Sequence, residues 1–339
     1  MFKVIVAGCG SIANKWLANL TARDDVQIVA LVDPVRENAL AHKERHELPC
    51  RVFPDLAQAL AETQASLLID TTPPAMHEEI VVRGLESGLD VFGEKPMADS
   101  MQAARNILAA VDASGKRYFV MQNRRYLHGI QTLRQTIESG VVGAPYHVFV
   151  DMRLGAHFTG FRNEMEHPLI IDMAIHTFDE ARYLLGDARA VSAYCQEYNP
   201  PHSWYRGAAA ADCIFEMNSG SIFLARLSWV SRSENTSSHG KWHVSCTEGA
   251  ALWDGYGRVS VNVAQALPEN RSYYEEEGIL SDVSLCTAGR EEHDGCLDDM
   301  FSALLSDQSM QTDCHNNIHS LAMVHACLES SKTGRKVYL

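Results

Sequence analysis

Apolar and polar positions along the first part of the chain alternate between two periods. Five of the six residues from Phe2 to Ala7 are apolar and β-prone, glycines follow at Gly8 and Gly10, and the small Ala13 closes the pattern. That order predicts a strand, a tight turn and a helix. Further β-rich runs (VQIVALV, SLLID, LDVFGE, RYFVM) alternate with helix-like segments (RENALAHKERHEL, DLAQALAET, MHEEIVVRGLESG, SMQAARNILAAVDASG) as far as about residue 122. Alternating strands and helices are βαβ units, whose crossovers place helices on both faces of a mostly parallel, doubly wound sheet. Helix ends are punctuated accordingly: Asp99 or Ser100 caps the helix that stops at Gly115, and Gly88 follows the helix before it.

The rhythm changes after Tyr126. One more amphipathic helix, with Ile130, Leu133 and Ile137 on one stripe, runs to Gly140, and long β-rich segments follow: YHVFVDMRL, AVSAYCQEY, DCIFEMNSGSIFLARLSWV, KWHVSCTEGAALW and RVSVNVAQAL. The runs flanking Asn218-Ser219-Gly220 read as a β-hairpin. Helical patterns return at 293–306 and 315–331, and the acidic stretch at 273–278 reads as a solvated loop. Two domains are therefore expected. Residues 1–122 form the doubly wound parallel sheet, and residues 123–339 form a second α/β domain on a mostly antiparallel sheet.

Composition narrows the partners. A chain of 339 residues that is 46% hydrophobic and 21% charged can bury a large core, and its net charge of −14 opposes a nucleic-acid or anionic-membrane partner. Any anionic cofactor must be held locally. The nine cysteines are odd in number and scattered without CxxC spacing, which fits neither a disulfide framework nor a zinc ribbon. With no secretory pattern and no apolar run of membrane-spanning length, the expectation is a reducing cytoplasm.

The glycine loop carries the first chemistry. Without side chains the backbone can turn tightly at Gly8 and approach a pyrophosphate at Gly10, while Ala13 allows close helix packing. The helix that begins near Ser11 then offers free N–H groups and its positive dipole end to phosphates. A second strand ends in Asp33, 23 residues after Gly10, near the place where a ribose-binding acid is expected. Such an acid favours NAD and repels the 2′-phosphate of NADP. Arg36 could swing toward that phosphate or remain a solvated first-turn residue, so NAD is the expected cofactor and NADP the alternative. The loop TTPPAMHEE at 71–79 lies at the carboxyl end of a strand, where ligands bind in open α/β sheets.

Two further stretches could act on a substrate. Glu94 and Lys95 follow a buried strand at the same sheet edge, where a lysine can stabilise charge on a reacting oxygen, although alone it reads equally as a surface lysine. In HPLIIDMAIHTFDEARYLLG (167–186), Asp172, His176 and Asp179 fall on one face of a helix, with Ile170, Met173, Phe178 and Leu185 on the opposite stripe. A histidine beside a carboxylate suits proton transfer near neutral pH, and an ordinary surface pair is the plainer alternative. His315 and His319 have the spacing of a zinc pair next to Cys314, with His325 beyond. They lack the glutamate that accompanies such pairs, and no metal site is assigned.

Together these residues resemble the glucose-fructose oxidoreductase, inositol dehydrogenase and MocA family. The resemblance rests on the loop Gly8-Cys9-Gly10-Ser11-Ile12-Ala13, TTPPAMH at 71–77, EKP at 94–96, NRRY at 123–126, ESGVVGAPYHV at 138–148, and Asp172 with His176, all in the family's order. It covers essentially the whole chain. It implies a Rossmann domain followed by an α/β domain with a large open sheet used for oligomer contacts, in a homodimer or homotetramer, with the site between the domains. The implied chemistry is reversible hydride transfer between a nicotinamide cofactor and a secondary hydroxyl of a sugar, inositol or related polyol.

By the same resemblance Lys95 binds the reacting oxygen, His176 exchanges its proton, and Asp172 orients both. Cofactor contacts are implied for Gly8, Gly10, Ser11, Ile12, Ala13, Asp33, Arg36, Thr71, Thr72, Pro73, His77, Glu94, Lys95 and Gln122, with Arg162 reaching cofactor or substrate. The chain departs from many members in its approach to the catalytic helix, EMEHPLIID in place of a glycine-rich run, and in Ala174 where they carry glycine. These departures bear on the substrate pocket more than on the reaction. Two other functions fit the same frame: a glycosidase using retained NAD for a transient oxidation, and a non-catalytic nucleotide or sugar sensor, against which the intact Lys95, Asp172 and His176 argue.

Overall fold

A computed structural model describes residues 1–232, 234–265, 278–306 and 308–339. The chain divides into two compact units, one of Met1–Asn123 with Arg290–Leu321 and one of Arg124–Gly289 with Ala322–Leu339.

The first unit is a βα alternation: β1 (Phe2–Ala7), α1 (Ala13–Thr21), β2 (Val26–Val32), α2 (Arg36–Arg45), β3 (Arg51–Phe53), α3 (Leu56–Glu62), β4 (Leu67–Asp70), α4 (His77–Glu86), β5 (Asp90–Gly93), α5 (Met101–Ser114) and β6 (Tyr118–Val120). The sheet order is β3-β2-β1-β4-β5-β6 and every pairing is parallel. The order reverses between β1 and β4, which opens a crevice at their carboxyl ends. β1 and β4 are buried throughout their centres, as strands covered by helices on both faces must be. Ser100 caps α5 by accepting the Ala103 N–H, and Gly115 ends it in the left-handed conformation at φ 64°.

The second unit contains α6 (His128–Glu138), β7 (Pro145–Arg153), the single-turn α7 (Phe161–Glu164), α8 (Ile175–Leu184), β8 (Ala190–Tyr198), β9 (Ala210–Met217), β10 (Ile222–Ser228), β11 (Lys241–Cys246), β12 (Gly249–Trp253), β13 (Val259–Ala264) and β14 (Gly278–Val283). Two helices and a short strand end the chain: α9 (Glu292–Ser306), α10 (Cys314–Thr333) and β15 (Val337–Tyr338). The nine-stranded sheet runs β14-β13-β12-β11-β7-β10-β9-β8-β15, and only the β7–β10 pairing is parallel. The hairpin at 218–220 joins β9 to β10, with Gly220 at φ 84° supplying the turn.

α9 belongs to the first unit, where Phe301 packs on Phe2 and Phe92 and Lys15 pairs with Glu292 at 2.9 Å. The acidic residues 273–277 lie outside the described residues, and Gly278 begins β14. Among the described residues no helix is long and apolar enough to cross a membrane.

Candidate functional site

In the first unit the expected cofactor residues gather at the carboxyl ends of the parallel strands. Gly8 follows β1 at φ 86°, and a Cβ there would meet the backbone of Thr71 and Thr72 at 2.7 Å, so β4's loop leaves room for nothing but glycine. Thr71 closes this contact by donating its hydroxyl to the Gly8 carbonyl at 2.7 Å. Gly10 differs: a Cβ there would meet nothing within 4 Å. Its side of the loop is open, as approach by a pyrophosphate requires. Ser11 and Ile12 are exposed, Ala13 is buried, and no side chain caps the start of α1.

Asp33 ends β2 with its carboxylate ordered by main-chain donors. Oδ2 accepts the Cys9 N–H and Oδ1 the Val35 N–H, both at 2.8 Å, and Oδ1 also accepts from Asn38 Nδ2 at 3.4 Å, which leaves a lone pair on Oδ2 for a ribose hydroxyl. Arg36 is exposed at the start of α2. Gln122, just past β6, is 1% exposed, and neither atom of its carboxamide has a hydrogen-bond partner among the described residues. A buried amide left this way points to a missing partner. The open face over Gly10, the spare lone pair on Asp33 Oδ2 and the orphaned Gln122 together fit a dinucleotide.

The EKP turn after β5 is braced from three sides. Trp16 on α1 donates Nε1–H to Glu94 Oε1 at 2.7 Å, the Lys95 N–H reaches Oε2 at 3.1 Å, and His293 on α9 brings Nε2 to 3.6 Å from Oε1. Burial pushes the Glu94 carboxyl up, but His293, Trp16 and Lys95 outweigh it and hold the group below the ordinary carboxylate range. Asn123 in turn places Nδ2 at 3.0 Å from His293 Nδ1. Glu94 thus anchors the turn that presents the half-buried Lys95. The fully buried His77 ties the neighbouring loops together, with Nδ1 2.9 Å from the Pro96 carbonyl and Nε2 2.8 Å from that of Thr72. Thr72 itself donates to Asp70 through N–H and hydroxyl, while Pro73 is exposed.

The second unit holds Arg162, Asp172 and His176. Arg162 on α7 donates Nε–H to Asp172 Oδ2 at 2.6 Å, and the rings of Phe158 and Phe161 lie 5.5 and 4.7 Å from its guanidinium carbon. A cavity of about 540 Å³ opens beside it, lined by His157, Phe158, Phe161, Asn163, Glu164 and Trp204 among others. Asp172 sits in a π-helical turn, Leu169–Ala174, and His176 in the first turn of α8, buried to 9% exposure. Wide π turns recur at functional sites because they re-aim side chains.

This helix departs from the amphipathic one that its spacing predicts. Every residue of α8 is buried, and Asp179 does not share an open face with Asp172 and His176. It is 2% exposed and clasped by Arg125 through Nε at 2.6 Å and Nη2 at 2.8 Å, while Asp187 takes Nη1 at 2.7 Å. The charges misled because their partners lie elsewhere in the sequence. His315 faces two carboxylates, Asp112 at 2.9 Å and Asp313 at 3.1 Å.

Comparison with known proteins decides the family. The model described as "Oxidoreductase family, NAD-binding Rossmann fold" matches residues 2–122, and that described as "GFO/IDH/MocA C-terminal domain" matches 130–252. The chain belongs to the GFO/IDH/MocA family. It is an oxidoreductase, and its amino-terminal unit is an NAD-binding Rossmann domain. A D-apiose dehydrogenase from Paraburkholderia graminis is 25% identical over 100% of this chain and 90% of its own length. An inositol 2-dehydrogenase from Ralstonia nicotianae is 30% identical over 54% of each chain. An oxidoreductase from Agrobacterium radiobacter, solved with NAD+, L-tartaric acid and magnesium, shares the fold at a TM-score of 0.86 and 20% identity over 99% of this chain and 98% of that one.

Within this GFO/IDH/MocA chain, sequence reasoning missed Trp16 and His293, which brace Glu94. Trp16 reads as a core residue of an apolar helix stripe, and His293 lies far along the chain from the turn that it supports. No local pattern marks either one.

Proposed function

We propose that this protein is an NAD-dependent dehydrogenase acting on a secondary hydroxyl of a sugar, inositol or related polyol, with Lys95, Asp172 and His176 as its catalytic residues. The observation that carries this reading is the Arg162–Asp172 pair on a π turn four residues before the buried His176. NAD, when bound, supplies the hydride acceptor. His176 takes the proton of the hydroxyl during oxidation and returns it in the reverse direction. The Lys95 ammonium donates to the same oxygen and stabilises the negative charge that develops there as the carbonyl forms. Asp172, held in place by Arg162, accepts from a substrate hydroxyl and orients the ring toward His176.

The cavity beside Arg162 supports a carbohydrate-like substrate. His157 and Trp204 stack with ring centroids 3.4 Å apart and offer apolar faces, while Asn163 and Glu164 supply polar groups for hydroxyls. The printed names of the apiose and inositol dehydrogenase relatives point the same way. The reading includes a homodimer or homotetramer. The outer face of β8 and β9 carries Tyr194, Tyr198 and Ile214, each about 40% exposed, a run of apolar side chains suited to a second copy. The test is NADH formation from a panel of aldoses, inositols and sugar acids. Turnover of at least one polyol supports the proposal, and silence across the panel by protein that binds NAD overturns it.

A further inference from the structure

Three of the nine cysteines meet inside the second unit. Cys195 on β8 and Cys213 on β9 stand opposite each other in the antiparallel register, with their sulfurs 3.5 Å apart. Cys327 on α10 completes a group whose three sulfur atoms all lie within 4.8 Å of one another. The three are buried at 1%, 0% and 0% exposure, and none is in a disulfide. Ser330, one turn along α10, fixes the helix over the strand by accepting the Cys195 N–H at 2.9 Å.

We propose that Cys195, Cys213 and Cys327 form a three-sulfur site for one soft monovalent cation, Cu(I). Soft thiolate donors select such an ion. Metal–sulfur bonds of about 2.3 Å radiating from the centre of a triangle set the sulfurs about 4 Å apart, inside the observed spread. Structural zinc is held by four ligands in a closed tetrahedron, and among the described residues no His, Asp or Glu joins the three sulfurs.

Burial agrees with this choice: a dry site disfavours net charge, and a single positive charge is cancelled when only one of the three thiols gives up its proton. No electron changes hands. The ion enters and stays as Cu(I), and any proton that the three cysteines lose on coordination passes to solvent. The bound ion ties α10 to β8 and β9.

The experiment titrates fully reduced protein under argon with Cu(I) against a competing Cu(I) chelator. One ion per chain retained, with at least a 100-fold weaker hold in Cys195→Ala and Cys327→Ala and no change in Cys246→Ala, is the expected result. In parallel, wild-type protein with and without copper is unfolded in an alkylating agent, and the protected cysteines are mapped by mass spectrometry. Protection of positions 195, 213 and 327 together supports the site without relying on any variant. Failure of wild type to retain copper, or protection mapping to other cysteines, overturns it. So does equal retention by the Cys195→Ala and Cys327→Ala variants.

Discussion

Arg162 and Asp172 form a charge-assisted pair at 2.6 Å, with the guanidinium flanked by the rings of Phe158 and Phe161. Arg162 thereby fixes the direction of the carboxylate. Hydrogen bonds to charged groups contribute about 1.5–3 kcal/mol, so Arg162→Ala is expected to lower kcat roughly 10- to 100-fold. Arg162→Lys restores the charge without the planar geometry and is expected to recover only part of the loss. Steady-state kinetics on both variants check this, with NAD affinity measured alongside.

The two loop glycines are predicted to fail differently. At Gly8 an added Cβ meets the Thr71–Thr72 backbone at 2.7 Å in a left-handed conformation. Gly8→Ala is therefore expected to lose at least about 1–3 kcal/mol of stability, visible as a lower Tm. Gly10 has open space above it, so Gly10→Ala should melt like the wild type yet bind NAD at least tenfold more weakly. Calorimetric melting and NAD titration of the same samples separate the two outcomes.

Trp16 holds Glu94, and Glu94 holds the turn that bears Lys95. Trp16→Phe keeps most of the packing volume and removes only the N–H donor. It is expected to lower kcat severalfold and leave substrate KM and NAD affinity close to wild type.

Glu180 on α8 is fully buried, neither carboxylate oxygen has a partner among the described residues, and burial pushes its carboxyl up to about 8. The folded chain then keeps a proton that the unfolded chain releases near pH 4.5, so stability falls as pH rises from there toward 8. Glu180→Gln removes that slope. Its Tm is expected to exceed the wild type's by several degrees at pH 8, with the gain shrinking toward pH 5, as thermal melts across that range would reveal.

The glycine loop was legible as a turn between strand and helix because its signals are local. Gly8, Gly10, Ala13 and Asp33 take their places from chain geometry within a single βαβ unit, and the hairpin at 218–220 is equally self-contained. The segment carrying Asp172 and His176 was legible as a helix but not as a π turn, since packing sets the width of a turn. The role of Asp179 was hidden because Arg125 and Asp187, which neutralise it, are distant in sequence. The same holds for His293 against Glu94 and for the three convergent cysteines. Contacts made by tertiary packing leave no periodic trace.

The most direct test compares wild type with Lys95→Ala and His176→Ala in single-turnover hydride transfer to NAD, using the best substrate from the polyol panel. A positioned acid or base contributes about 10²- to 10⁴-fold, so each variant is expected to lose at least that much rate while binding NAD as the wild type does. Rates within tenfold of wild type in both variants would contradict the assignment of these residues to the chemistry.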